Sequence, residues 1–137
     1  MNNQNITTHC KEQIKAALQA LRTPYKTIKS LFRFNEMTEI NYSYKTVKDT
    51  IREIRFKNAT LNCLFDQYNI CNDCILFFDN QIDIFHYIEY CYRTYKYNYE
   101  SHSWINNEYR IQVYTKNDEA GLHFYLSNPD RKKSNKP

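Results

Sequence analysis

Gly121 is the single glycine among 137 residues. A chain so poor in glycine cannot build loops that need several of them close together. Walker A, GxGxxG and the GxSxG elbow all use glycines to bring backbone up to a phosphate or to bend it sharply. Nucleotide-dependent chemistry of those kinds is therefore excluded. What the chain has instead is core-forming residues, 42% hydrophobic and 16% aromatic, enough for one core and too few residues for two ordinary domains. One globular domain is expected over 1–128. The basic tail 129–137, without an aliphatic or aromatic residue, is expected to be disordered.

Charge is divided along the chain. Residues 1–60 hold eleven Lys/Arg against five Asp/Glu, residues 61–128 four against nine, and the tail four against one. A basic front suits a polyanion, and two oppositely charged halves also suit a protein partner. The start, MNNQNITTHC, has neither a charged nor an apolar leader region, and the longest unbroken apolar run is only Cys74 to Phe78. Neither export nor membrane insertion is expected, and a cytoplasmic location follows. Five cysteines, an odd number, then read as reduced thiols rather than a disulfide framework.

Periodicity orders the elements. Ile14, Ala17, Leu18 and Leu21 predict a helix over about 9–22, and Thr23-Pro24 starts a second one with Tyr25, Ile28, Leu31 and Phe32 on one face. Residues 35–44 are expected to be a connector. Val47, Ile51 and Ile54 at i, i+4, i+7 predict a third helix, on which Lys45, Lys48, Arg52 and Arg55 form a second stripe about 100–160° round the axis. Ala59–Asp66 and Asp73–Phe78 read as a hairpin, followed by a helix from Asp79 or Asn80 to about Lys96 with Phe85, Ile88, Tyr92 and Tyr95 on its buried face. A second hairpin joins Tyr109–Thr115 to Leu122–Ser127, with Gly121 expected in its turn at positive φ.

Helix, helix, connector, basic helix and hairpin is the order of a winged helix-turn-helix domain. Ser43-Tyr44-Lys45-Thr46-Val47-Lys48-Asp49-Thr50-Ile51-Arg52-Glu53-Ile54 resembles the recognition-helix region of winged-helix regulators, and Thr23 to Phe32 would match their second helix. The stretch from Arg33 to Tyr44 is about twice the length that family uses there. The resemblance covers about residues 8–80. It implies an α+β domain, winged-helix-like in its N-terminal part and completed by a helix and a C-terminal β-hairpin. It also implies a non-enzymatic DNA-binding regulator of a mobile element or virus, reading double-stranded DNA with Lys45, Lys48, Arg52 and Arg55 and dimerising through the helix at 80–96. A solvated surface helix would carry the same basic stripe, with Asp49 and Glu53 as intrahelical partners.

The other constellations are weaker. Tyr87 to Tyr99 interleaves aromatic and basic residues, and Tyr90, Tyr97 and Tyr99 would anchor a protein interface. That is the competing function: a small inhibitor or immunity-type module whose acidic, Tyr-rich half blocks a nucleic-acid enzyme. Cys71-Asn72-Asp73-Cys74 is a C-x-x-C, with Cys63 upstream and His86 and Cys91 downstream. Zinc wants four ligands and no second pair exists at standard spacing, so no metal or cofactor is expected and these thiols read as small core residues. Asp79, Asp83, His86 and Tyr90 would share a helical face, but without a nucleophile or oxyanion donor they carry no catalytic assignment.

Overall fold

The computed structural model describes residues 3–44 and 47–127 of the chain. Two helices lead, α1 (Asn3–Ala20) and α2 (Tyr25–Leu31), followed by strands β1 (Met37–Tyr44), β2 (Val47–Arg55), β3 (Ala59–Phe65) and β4 (Cys71–Phe78). A 3-10 turn (Gln81–Asp83) leads into α3 (Ile84–Thr94), and β5 (Lys96–Asn98), β6 (Ser103–Asn106), β7 (Tyr109–Lys116) and β8 (Glu119–Leu126) complete the chain. All eight strands form one antiparallel sheet in the order β1-β2-β3-β4-β8-β7-β6-β5. It is two four-stranded meanders joined at their last strands, β4 against β8. Helix α3 carries the chain from the middle of the sheet to its far edge.

Alternation along the strands decides which face is covered. Ala59, Leu61, Cys63 and Phe65 of β3 are buried and alternate with half-buried residues, and Leu122, Phe124 and Leu126 do the same on β8. The buried face packs against Ile14, Ala17 and Leu21, Ile28 of α2, and Ile84, Tyr87 and Cys91 of α3. Three helices thus cover one face of the sheet. A closed ring of hydrogen bonds ties the layers together. The Tyr87 hydroxyl donates to Gln13 Oε1 at 2.7 Å, Gln13 Nε2 donates to Asn58 Oδ1 at 2.6 Å, and Asn58 Nδ2 donates to the Tyr87 hydroxyl at 3.1 Å.

The winged-helix fold is overturned. The segment expected as a recognition helix is β2, and the expected connector is β1, paired with it from Met37↔Ile54 to Tyr44↔Val47. Val47, Thr50, Ile51 and Ile54 are β-branched, and such residues favour a strand once a neighbouring strand is present to pair with. Arg52 and Ile54 then face the helices, while Ile51, Glu53 and Arg55 lie on the other face. The hairpin at β3 and β4 forms, but as central strands of the sheet rather than as a wing.

Helix α3 buries Ile84, Tyr87 and Cys91, whereas Phe85 is 67% and Tyr92 54% exposed. The buried stripe is rotated by one residue from the expected one: Ile84, Tyr87 and Cys91 each precede Phe85, Ile88 and Tyr92 by one position, and both sets satisfy the same helical spacing. The strands β5 and β6 were not anticipated. The β7–β8 hairpin forms, but its turn is Asn117-Asp118, with φ of 53° and 64°. Asparagine and aspartate tolerate the left-handed region, and a two-residue hairpin turn needs it twice. Asn69 and Asn107 serve other turns in the same way. Gly121 instead lies inside β8, where a Cβ would fall 2.6 Å from the Leu76 carbonyl oxygen. Its role is close strand approach. The basic tail lies outside the described residues.

Candidate functional site

Of the four basic residues, the two whose side chains are described, Arg52 and Arg55, lie on opposite faces of the sheet. Lys45 lies outside the described residues, as does the side chain of Lys48 of β2. Arg52 is buried on the helix-covered face, its guanidinium 3.9 Å above the Tyr25 ring and its Nη1 2.5 Å from Glu39 Oε1, across the β1–β2 register. Arg55 points to the opposite side and binds the Asp79 carboxylate with both terminal nitrogens. That pairing holds the Asp79 carboxyl below the usual carboxylate range, chiefly through the Arg55 hydrogen bond. A major-groove surface needs such side chains side by side and unengaged. Here alternation along a strand puts one inside and one outside.

The carboxylate and histidine set does not converge either. Asp79 is held by Arg55, Tyr90 packs its ring on Tyr95, and His86 is exposed on α3. Among the described residues the only three or more His, Cys, Asp or Glu ligand atoms that come together are those of Cys63, Cys71 and Cys74.

What the fold does assemble is an aromatic surface at the β5 edge. Tyr97 of β5 and Trp104 of β6 are directly opposite in register, with ring centroids 5.2 Å apart. Tyr92, from the last turn of α3, stands edge-on to Trp104 at 5.0 Å and lies 5.3 Å from Tyr97. Tyr99 then packs edge-on to Tyr97 at 5.0 Å. Trp104 is 1% exposed and Tyr99 78%, so the stack runs from the core out into solvent. The turn beyond is fixed by Asn98, whose Oδ1 accepts from the backbone N–H groups of Glu100 and Ser101 at 2.9 and 3.0 Å. Crowding shows in the Tyr92 hydroxyl, whose pKa is raised by desolvation and then by Tyr97 and Tyr99.

Phe85 lies two helical turns before Tyr92 on the same exposed side of α3, with Glu89 between them and its i, i+4 partner Arg93 one residue beyond Tyr92. The surface is therefore a row of exposed rings with a few charges, on rigid elements. Of the residues named from sequence, Tyr97 and Tyr99 belong to it. Tyr90 is half-buried against Tyr95 and does not. Sequence reasoning missed Phe85, Tyr92 and Trp104; the expected helix stripe puts Phe85 inside, whereas it is exposed. Tyr92 was assigned to the buried face, and the pairing of Trp104 with Tyr97 depends on two strands that carry no clear alternation.

No family model, curated protein or solved structure matches the chain.

Proposed function

We propose that the chain is a non-enzymatic protein-binding module that docks a partner protein through Phe85, Tyr92, Tyr97 and Tyr99. The observation that carries this is the stack on Trp104, buried at one end and 78% exposed at Tyr99. Tyrosine and tryptophan offer large contact area at low conformational cost, and rings already held by their neighbours lose little freedom on binding. The edge strand β5 is only three residues long, so contact through side chains is favoured over strand addition. Residues 61–128 carry four Lys/Arg against nine Asp/Glu, and the complementary partner is a basic surface such as the polyanion site of a nucleic-acid enzyme. The module would then act as an inhibitor or immunity-type protein.

A photo-crosslinking residue at position 99 tests this in the cells that express the protein, with position 68 on the distant β3–β4 turn as control. One defined protein should be captured from position 99 and not from 68. Tyr92→Ser should abolish the capture, and Lys26→Glu with Lys29→Glu should leave it intact. Equal capture from both positions would overturn the assignment. So would salt-sensitive binding of labelled duplex DNA that survives Tyr92→Ser and is lost in the α2 double variant.

A further inference from the structure

The geometry points to a structural metal site, formed by the thiolates of Cys63, Cys71 and Cys74 and holding one thiophilic d10 cation of the class of zinc(II) and copper(I). All three residues are 0% exposed and their sulfurs lie within 4.8 Å of one another. Cys71 Sγ is 3.4 Å from Cys74 Sγ, which is 3.8 Å from Cys63 Sγ. A metal bound about 2.3 Å from each thiolate holds its sulfurs about 3.8–4.0 Å apart, at tetrahedral and trigonal angles respectively. The three sulfurs need to move only slightly to accept an ion.

The backbone is bent to make this convergence. Residues three apart on a regular strand face opposite sides of the sheet. Cys71 and Cys74 both face inward because the register shifts between them. Leu64 pairs with Asp73 and Phe65 with Cys71, which leaves Asn72 without a partner on β3. A bulge of this kind re-aims a side chain at the cost of a ladder position, and it is a retained feature rather than a defect. Cys63 reaches the same point because it lies directly opposite Cys74.

The surroundings suit a closed site. Cys71 accepts a backbone hydrogen bond from Arg22 N and donates one to Thr23 O, and the Ala17 carbonyl oxygen lies 3.8 Å from Cys74 Sγ. The site therefore joins the α1–α2 turn to β3 and β4. No fourth His, Cys, Asp or Glu joins the three among the described residues, so the ion is held by three sulfurs. Soft thiolates favour d10 ions over magnesium or calcium. Arg52 is the register partner of Cys63 on the same face, and its buried positive charge offsets part of the negative charge of a metal tris-thiolate. On binding, each S–H gives its proton to solvent as its sulfur–metal bond forms, so no oxidant is required.

The test uses the full chain, purified under reductant and stripped with chelator, then titrated with zinc(II) and separately with copper(I) against a chromophoric competitor. One equivalent of at least one ion should bind, and X-ray absorption should show three sulfur neighbours. Cys63→Ser and Cys74→Ser should each weaken binding by more than about 100-fold, beyond what outer-shell changes cause. Cys91→Ala, a buried thiol outside the cluster, should bind as wild type. If the serine variants fail to fold, cadmium(II) added to wild type reports thiolate ligation directly through its sulfur-to-metal charge-transfer absorption. Less than one tenth of an equivalent of either ion, or serine variants that bind like wild type, would overturn the site. A Cys63–Cys74 or Cys71–Cys74 disulfide in protein alkylated directly in cells would do so too.

Discussion

Arg52 is the most informative position to perturb, because a basic residue on a helix surface and a basic residue inside a strand respond oppositely. Its side chain is 9% exposed, stacked on Tyr25 and paired with a Glu39 side chain that is 47% exposed. An ion pair with one half-solvated partner contributes at most about 1 kcal/mol, and the contact with the Tyr25 ring about 0.5–2 kcal/mol. Against these, the buried Nε has no hydrogen-bond partner among the described residues, a cost of about 1–3 kcal/mol. Arg52→Met keeps the packing of the side-chain stem and removes both the gains and the cost, and Glu39 is already half-solvated. Its stability should lie within about 1 kcal/mol of wild type. Arg52→Glu places a carboxylate in the same slot facing Glu39, and should cost about 3–5 kcal/mol. Urea unfolding followed by fluorescence of the buried Trp104 separates the two. With a slope of about 1–3 kcal/mol per molar, the glutamate variant should unfold at least about 1 M earlier with an unchanged slope. An Arg52→Glu protein as stable as wild type would place this side chain in solvent and refute its position on the inner face of β2.

Tyr87→Phe deletes the hydroxyl that joins Gln13 to Asn58 and leaves two amide groups short of a partner in the interior. It should cost about 1–3 kcal/mol in urea unfolding and raise hydrogen exchange in α1 and α3, and an unchanged midpoint would mean the ring of bonds adds no stability. Alkaline pH should also destabilise the protein. Burial pushes Cys10 and Cys91 from 9.0 up to about 12 and Tyr95 from 10.0 up to about 12. Above pH 9 the unfolded chain has released protons that the native state still holds, so their contribution is complete below pH 9 and is lost as pH rises towards 12. Melting temperatures between pH 8 and 11 should fall, and Cys91→Ala should flatten the decline; an equal slope in the variant would show that Cys91 is not a contributor.

The parts legible in the sequence are those whose signal is local. Ile14 and Ala17 repeat at helical spacing and are buried in α1, with Leu21 buried just past its end, and the β7–β8 hairpin forms where the sequence places it. Residues 47–55 are the opposite case. Their apolar positions satisfy a helical spacing, and the deciding term is pairing with β1 and β3, segments before and after them in sequence. The aromatic surface was half legible: Tyr97 and Tyr99 were named, whereas Tyr92 reaches Trp104 only because α3 ends beside β6.

By itself the sequence determined that no glycine-rich phosphate loop can form, that residues 1–60 are basic and 61–128 acidic, and that a single aromatic-rich core would close. These follow from residue types, which no fold alters. Tertiary structure decided which face of each element is inside. It put Arg52 inside and Arg55 outside, each in an ion pair, placed the lone glycine where β8 comes close to the backbone of β4, and brought three cysteines to one point. The reason is that strand pairing and helix packing are nonlocal. The energy that selects among locally equivalent faces comes from residues far away in the chain, and a bulge of one residue at Asn72 reverses which side its neighbours face.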